Sequence, residues 1–295
     1  MDSMHRMLLW LSILLSATTF AGTPTSQPFE GVRYWHELHS DPVMSLYIVQ
    51  VDLKNPNISI RVSPAGKDPD GDGEWQTVLM PPSEIAKREH FDVCVNASFF
   101  IARNTKDAEG AASGYVAGKW ASAEGYAMTD GKLWSSVPRK AWPMFFIDDH
   151  ARARFLTAGP LPQDAKQAVQ GNAFVLLDNK VLEPKSEVMK ARHPRTVIGM
   201  DRDGNTLTIL TVDGRRPGVS IGMTGPELGE EMKRLGCDTA MNLDGGGSSE
   251  LVLRDAETGK LMVMNQPSDG RERAVADVLG VQIHESQRHN SPAEK

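Results

Sequence analysis

Apolar and polar residues alternate along several short segments of the chain, with the period of two that is typical of β-strands. Residues 44–53 and 58–62 show this alternation, and residues 83–90 have the spacing of a short helix that leads into a strand at 91–97. Turn dipeptides lie between apolar runs, as in β-hairpins: Asp130-Gly131, Asp178-Asn179 and Asp203-Gly204. The pattern predicts a strand-rich protein.

A longer helix is predicted in the second half of the chain. Thr224, followed by Pro226 and Glu227, has the sequence of a capping box, in which the two polar side chains satisfy the first free backbone N–H groups of a helix. The helix is predicted to run to Leu235, because Gly236 is a typical stop signal.

Strands are predicted on both sides of this helix, at residues 206–212 and 239–243. Together the three elements predict a β-α-β unit, which brings the ends of its two strands to the same sheet edge. Asp213 and Asp244, which follow these strands, are therefore predicted to be neighbours. The predicted fold class is α+β, with a mixed strand-rich sheet, hairpins and this β-α-β unit carrying the loops of the site.

The beginning of the chain has the pattern of a secretory signal. Arg6 precedes an apolar stretch at residues 7–20, and the small residues Thr19 and Ala21 predict cleavage after Ala21. The stretch is shorter than the roughly 20 apolar residues that a transmembrane helix requires. The sequence predicts a periplasmic or secreted protein with no stable membrane anchor after cleavage of residues 1–21.

Composition is that of an ordinary globular protein. The 295 residues are 40% hydrophobic and carry a formal net charge of -6, so one sizeable core is expected. We divide the mature chain into a strand-rich N-terminal segment at 22–75, a main domain at 76–284 and a polar tail at 285–295. The acidic balance, with no basic stripe between aromatic residues, argues against nucleic acid as a partner.

The two cysteines, Cys94 and Cys237, allow two interpretations. In an oxidising compartment an even count permits one disulfide. Free cysteine, however, often serves as a small buried hydrophobic residue, and spacing along the chain does not decide between them.

The richest candidate for chemistry is the sequence AMNLDGGGSS at residues 240–249. A short apolar strand leads there into three glycines and two serines. Glycine allows a backbone to approach a ligand closely, so the loop predicts a nest of N–H donors for an anion, with serine hydroxyls beside it. The alternative is a tight turn between two strands. The predicted binding residues in this loop are Asn242, Gly245, Gly246, Gly247, Ser248 and Ser249.

Four segments in this order resemble the phosphodiester glycosidase family: VNASFF at 95–100, HPRTVIGM at 193–200, TVDGRRPGVSIGMT at 211–224 and AMNLDGGGSSEL at 240–251. The resemblance extends from about residue 76 to 284. It implies an enzyme that hydrolyses the bond between the anomeric carbon of a sugar and a phosphodiester, and bacterial relatives of this kind are linked to exopolysaccharide or envelope glycan metabolism. Glu250 stands where the family usually has a small or apolar residue.

Two aspartates suit this chemistry. Cleavage of a glycosidic bond builds positive charge at the anomeric carbon, which a carboxylate stabilises, attacks or approaches with an activated water. Asp213 and Asp244 are the predicted catalytic pair. Each precedes a glycine, so the alternative is that both are Asx-turn residues that accept their own backbone N–H groups.

A phosphodiester is an anion, and arginine binds phosphate through a bidentate fork. Arg195 and Arg215 are the predicted phosphate ligands, with Arg273 as a further candidate. Asn96 is predicted to bind a sugar hydroxyl or to orient a carboxylate. Arg195 in a structural ion pair and Arg273 in a solvated charge run are the alternatives, and His193 is either a catalytic acid or structural.

No cofactor is required by this interpretation. Asp68, Asp70 and Asp72 match the opening of a calcium loop, but Leu79 stands where the loop needs a bidentate glutamate, so a partial calcium loop and a solvated acidic turn both remain. The expected partner is a small-molecule or glycan phosphodiester substrate. The alternatives are a non-catalytic binder of anionic glycans and a phosphodiesterase that attacks phosphorus, which normally uses paired metals and clustered ligands.

Overall fold

A computed structural model describes residues 26–103, 115–137, 139 and 141–284. The predicted signal segment at 1–21 and the polar tail at 285–295 lie outside this part of the chain. The described helices are α1 (Pro82–Arg88), α2 (Glu187–Lys190) and α3 (Gly225–Arg234), and a 3-10 turn spans Gly246–Ser248. None of these helices is long and apolar enough to cross a bilayer.

The described strands are β1 (Ser26–Phe29), β2 (Val32–Ser40), β3 (Val43–Asp52), β4 (Ile58–Val62), β5 (Thr77–Val78), β6 (Val93–Asn96), β7 (Phe100–Ala102), β8 (Trp120–Ala123), β9 (Gly125–Thr129), β10 (Lys132–Val137), β11 (Met144–Asp148), β12 (Ala153–Leu156), β13 (Ala165–Gln170), β14 (Ala173–Leu177), β15 (Lys180–Val181), β16 (Arg195–Met200), β17 (Thr206–Val212), β18 (Thr239–Asn242), β19 (Leu251–Arg254), β20 (Leu261–Val263) and β21 (Val278–Ile283).

These strands form four sheets. The largest has the order β1-β2-β3-β17-β16-β18-β14-β15, and a second has the order β20-β19-β6-β21-β4. A third contains β10-β9-β13-β11-β12, and a small one contains β5-β8-β7. The pairings within the described sheets are antiparallel, where a mixed sheet was expected; short turns join some neighbours, such as β2 and β3 or β16 and β17, and longer connections join the others. The strand-rich prediction is confirmed, and the architecture is mostly β.

The predicted β-α-β unit differs from expectation in one respect. β17 and β18 are both antiparallel to β16, so they run parallel to each other, but β16 lies between them. The sequence predicts adjacent strands, whereas the β16–β17 hairpin inserts β16 between them. Both strands still end at the same sheet edge, because Val212 lies opposite Arg195 and Asn242 lies opposite Val197.

The structure contains the predicted capping box and has left-handed hairpin turns at two of the predicted turn dipeptides. Asp130 and Gly131 have φ values of 50° and 78°, and Asp178 and Asn179 have values of 50° and 60°, which is the left-handed conformation that a type I′ hairpin turn requires. The α3 helix begins with a complete capping box at Thr224, in agreement with the prediction.

The eight-stranded sheet and the five-stranded sheet that contains β6 pack face to face around a core that β11 and β13 of the third sheet also enter. On β3, Tyr47, Val49 and Val51 enter the core between the sheets, whereas Leu46 and Ile48 enter the core on the opposite face, which α3 covers. α1 packs on the outer face of the sheet that contains β6. Because both faces of the central strands are buried, the glycine loop after β18 has a fixed position at the sheet edge.

Residues 26–75 are integrated into these sheets. β3 pairs with β17 along seven residue pairs, and β4 pairs with β21.

The cysteines lie in different cores: Cys94 packs with α1, and Cys237 packs with α3. Both are buried and free, as in the second of the two interpretations, and burial raises the pKa of the Cys237 thiol to about 11.

Candidate functional site

The four motif segments meet at the sheet edge where β17 and β18 end. The Asn96 side chain joins three of them: its Nδ2 donates to the Asp244 carbonyl at 2.7 Å, and its Oδ1 accepts from Thr196 Oγ1 at 2.6 Å and from the Glu250 N–H at 3.2 Å. Asn96 is 1% exposed. Its Oδ1 and one N–H of its Nδ2 therefore hold the glycine loop against β6 and β16.

The glycine loop uses part of its own backbone internally. The Gly245 N–H donates to Asp244 Oδ1 at 2.8 Å, and the Gly246 N–H donates to the Pro194 carbonyl at 2.9 Å. Gly246 has a φ of +64°, which favours glycine over residues with a Cβ atom. These two N–H groups fix the shape of the loop, so they do not form the predicted anion nest in this conformation.

The guanidinium groups of Arg215 and Arg273 pack against Gly246 and Gly247, respectively. A Cβ atom at Gly246 would stand 3.0 Å from Nη2 of Arg215, and one at Gly247 would collide with the guanidinium of Arg273. The glycines are therefore needed for the close approach of both arginines. Arg215 is exposed, and none of the described residues forms a hydrogen bond or ion pair with its side chain.

Arg273 is held in place from two sides. Its Nε and Nη2 each lie 2.8 Å from Oδ2 of Asp269, and its Cζ lies 4.6 Å from the ring centroid of Tyr115. Stacking on an aromatic face and an ion pair both restrict the rotation of a long side chain. Arg273 is thus a preorganised cation at the glycine loop, and it helps to lower the pKa of Asp244 against the effect of burial.

Arg195 faces away from this cluster. Its side chain is 3% exposed, its Nε donates to the carbonyl of Met223 at 3.0 Å, and its Nη2 donates to those of Val188 and Ala191 at 2.6 and 2.8 Å. Burial, with a contribution from Arg215, lowers the pKa of Arg195 to about 10, so it stays charged at neutral pH. The observed partners are backbone carbonyls, whereas the sequence predicts a phosphate or, as the alternative, a carboxylate.

Arg195→Ala is expected to destabilise the fold. The substitution removes a buried guanidinium that donates to three carbonyl groups, and a hydrogen bond from a charged donor contributes about 1.5–3 kcal/mol, so the free energy of unfolding should fall by about 3 kcal/mol or more. Urea denaturation measures this change. The exposed Arg202 serves as the control, because Arg202→Ala should change the free energy by less than about 0.5 kcal/mol. Equal stability of the two variants would contradict the structural role of Arg195.

Asp244 begins the glycine loop and has an unusual acidity. Its partial removal from solvent raises its pKa to about 6, and the nearby Asp277 carboxyl group acts in the same direction. The Ser248 hydroxyl, the Gly245 N–H and Arg273 oppose this effect. Asp244 is therefore mostly ionised at pH 7 but takes up a proton in mildly acidic solution.

Asp277 is a buried carboxyl group that the sequence analysis missed. It precedes β21, is fully buried, and accepts hydrogen bonds at 2.8 Å from both the N–H and the Oγ of Ser98. Burial raises its pKa to about 6. The available signal was an aspartate directly before an apolar strand, whereas Asp244 was singled out as an aspartate that follows one.

Asp213 occupies a different position. Its Oδ1 accepts from Asn265 Nδ2 at 3.0 Å and from the Gln266 N–H at 3.1 Å, and burial raises its pKa. It is separated from Asp244 by β16, so the backbones of the two residues are about 10 Å apart, or two strand spacings. The carboxyl group that acts on the pKa of Asp244 is that of Asp277.

Several buried polar atoms around the loop have no hydrogen-bond partner among the described residues. They are Ser249 Oγ, Asn242 Oδ1 and His193 Nδ1. Buried polar groups are normally paired, and exceptions are typical of sites that bind a ligand. Burial, together with Arg195 and Arg215, lowers the pKa of His193, so its imidazole is neutral at pH 7.

Glu250, the residue at which the chain departs from the family pattern, faces Glu272. It is 1% exposed, and burial together with Glu272 raises its pKa to about 10. Glu272 accepts a hydrogen bond at 2.6 Å from Ser83 Oγ. Glu250 is therefore a neutral carboxylic acid at pH 7 and adds no charge to the glycine loop.

The acidic loop at residues 68–73 is closed by its own backbone. Asp68 Oδ1 accepts from the N–H groups of Asp70 and Gly71 at 3.1 and 2.7 Å. In the described part of the chain, converging carboxylate and imidazole groups occur at Asp148, Asp149 and His150. Asp148 is already paired there with two arginines.

Comparison with known proteins places this site in a family. Residues 93–282 match the family model of the phosphodiester glycosidases, and this range contains all four motif segments. A stretch of 93 residues is 43% identical to the uncharacterized SPbeta prophage-derived protein YomE of Bacillus subtilis (strain 168), and it covers 32% of this chain and 13% of YomE.

Two solved structures have a similar fold. A hypothetical protein from Synechocystis has a TM-score of 0.63 and 15% identity, over 89% of this chain and 64% of that one. The catalytic domain of zebrafish N-acetylglucosamine-1-phosphodiester alpha-N-acetylglucosaminidase, auto-inhibited by its pro-peptide, has a TM-score of 0.57 and 22% identity, over 88% and 84%. The chain thus matches less than two thirds of YomE and of the Synechocystis protein. The structural likeness shows the fold, and the family model establishes that the chain belongs to the phosphodiester glycosidase family.

Proposed function

We propose that this protein hydrolyses the glycosidic bond of sugar-1-phosphodiesters at the glycine loop. The observation that carries the proposal is the position of Arg215 and Arg273 on the same loop that begins with Asp244. Two cations suit the phosphodiester, and a carboxylate suits the positive charge that develops at the anomeric carbon.

In the proposed reaction the oxygen of a water molecule ends on the anomeric carbon, and the bond from that carbon to the phosphodiester oxygen breaks. The phosphate leaves with the electron pair of that bond, and Arg215 and Arg273 stabilise its charge. Asp244 acts as a base that takes the proton from the water or as a nucleophile that water later displaces. A phosphate is a good leaving group, so strong assistance from an acid is unnecessary.

We assign positioning roles to the other two aspartates. Asp213 holds Asn265 and Gln266 at the start of the segment that carries Asp269 and Arg273. Asp277 holds Ser98, and its charge tunes the acidity of Asp244. The predicted pair of Asp213 and Asp244 thus becomes a proposal in which Asp244 alone acts on the substrate.

The substrate is proposed to lie outside the cytoplasm. The basic residue and apolar stretch at the beginning of the chain support export, and envelope or extracellular glycan phosphodiesters are then accessible to the mature protein. The proposal covers both small phosphodiesters and glycan-linked ones.

Hydrolysis in water enriched in oxygen-18 tests the position of bond cleavage. A screen of sugar-1-phosphodiesters first identifies a substrate, and mass spectrometry then locates the label. Attack at carbon should place the label on the anomeric oxygen of the released sugar and leave the phosphate unlabelled. Label in the phosphate would indicate a phosphodiesterase, and binding without turnover across the screen would indicate a glycan-binding protein.

The pH dependence follows from the raised pKa of Asp244. If the ionised carboxylate is the active form, kcat/KM should reach a plateau above about pH 7 and fall about tenfold per pH unit below pH 6, where Asp244 takes up a proton. Initial rates measured across this range check the result. Asp277→Asn removes a negative charge near Asp244, so it should move the acidic limb to lower pH. Activity that rises as the pH falls would mean that Asp244 acts as an acid.

A further inference from the structure

A second cavity lies apart from the glycine loop. It has a volume of about 610 Å³, opens to solvent, and lies between the acidic loop at residues 68–75 and the β9–β10 hairpin. It shares no residue with the candidate catalytic site. Cavities of this size are typical of small-molecule binding sites.

Two tryptophans line this cavity. Trp75 is partly exposed, and its backbone N–H donates to Oδ2 of Asp70 at 3.3 Å. Trp134 comes from the hairpin, and its Nε1 donates to Thr129 Oγ1 at 3.3 Å. Indole rings are large apolar surfaces with one polar edge. Both residues are half-buried, Trp134 against the apolar cluster around Leu79, and any ring surface that stays open to the cavity forgoes the free energy of its burial. They indicate a ligand with apolar C–H faces.

The rest of the lining is polar and balanced in charge. Arg61 pairs with Asp130, which also accepts from Gln167 Nε2 at 2.7 Å, and Lys132 and Asp68 contribute one further charge of each sign. Such a lining offers donors and acceptors side by side without a net charge. Hydroxyl groups, which both donate and accept, match this arrangement.

An unused acceptor adds to this argument. Gln76 lines the cavity, and its Oε1 is buried without a hydrogen-bond partner among the described residues. A buried acceptor that stays unpaired costs free energy, so its retention is typical of a site that pairs it with a ligand.

We propose that this cavity binds an uncharged, hydroxyl-rich glycan, as a carbohydrate site separate from the catalytic loop. The two indoles pack against the C–H faces of the sugar rings, and the surrounding polar groups bind the hydroxyls. The acidic loop at residues 68–73, for which the catalytic proposal has no use, forms one wall of this site.

Isothermal titration with neutral oligosaccharides of glucose, mannose and N-acetylglucosamine tests the proposal on the mature protein. At least one should bind, and Trp75→Ala should weaken its binding about fivefold or more, because the loss of an aromatic contact is worth about 1 kcal/mol or more. Trp35→Ala is the matched control: Trp35 lies on β2, outside the cavity, and its loss should not change the affinity. Gln76→Glu tests the polar side of the site and should also weaken binding, even if Trp75→Ala fails to fold.

The same titration in Asp244→Asn protein separates this site from the catalytic loop. Binding should persist there, and Trp75→Ala should leave the turnover of small sugar-1-phosphodiesters unchanged. The proposal is overturned if none of the oligosaccharides binds, if the folded Trp75→Ala and Gln76→Glu proteins bind as well as wild type, or if Asp244→Asn abolishes binding. The binding results do not depend on whether the protein is a phosphodiester glycosidase.

Discussion

Asp244→Asn should reduce turnover of a sugar-1-phosphodiester by several orders of magnitude. The amide keeps the size and the hydrogen bond to the Gly245 N–H, but it provides no negative charge at the anomeric carbon and no base for water. Because the charge acts on the transition state, kcat should fall far more than substrate affinity. Steady-state rates, together with a direct measurement of binding, distinguish the two effects.

The matched control is Asp213→Asn. Asp213 is buried and bound to Asn265 and Gln266, so its substitution should lower stability and reduce activity only through the position of Arg273. A folded Asp244→Asn protein with the turnover of wild type would exclude Asp244 as the catalytic carboxylate. Loss of turnover in Asp213→Asn at unchanged stability would restore Asp213 to a direct role.

Arg215→Ala should lower kcat/KM for phosphodiester substrates by about 10²–10³, the cost of removing one preorganised donor for a developing negative charge. Uncharged glycosides of the same sugar should lose much less, because they lack the phosphate that the guanidinium binds. The ratio of the two losses is the measurement. Since Arg215 is exposed and free of described partners, the substitution should leave the fold intact.

Arg273→Ala should show the same selectivity for charge, and Arg202→Ala, which removes an exposed arginine paired with Asp238, should show none. Equal losses for charged and uncharged substrates in the Arg215 variant would mean that the group binds the sugar or the loop instead of the phosphate.

Features that depend on a few neighbouring residues could be predicted from the sequence. The capping box at Thr224 and the left-handed turns at Asp130 and Asp178 are set by local hydrogen bonds and backbone sterics, which tertiary packing did not override. The family could also be predicted, because its four segments have a distinctive order. The candidate loop at residues 240–249 was found through its glycine and serine content.

Relations between distant segments were decided by the tertiary structure. Whether β17 and β18 are adjacent depends on where β16 pairs, and no local property of the three strands fixes this. The same applies to Arg195. Its partners are backbone carbonyl groups, and because every residue has one, the sequence does not indicate which of them Arg195 binds.

The sequence by itself determined the family, the strand-rich class and the loop on which the chemistry is proposed. Only the tertiary structure decided that Asp277 acts on the acidity of Asp244 and that Asp213 is held away by an intervening strand. The physical reason is that residue types and turns are local, whereas the pKa of a carboxyl group depends on burial and on charges brought near it by folding.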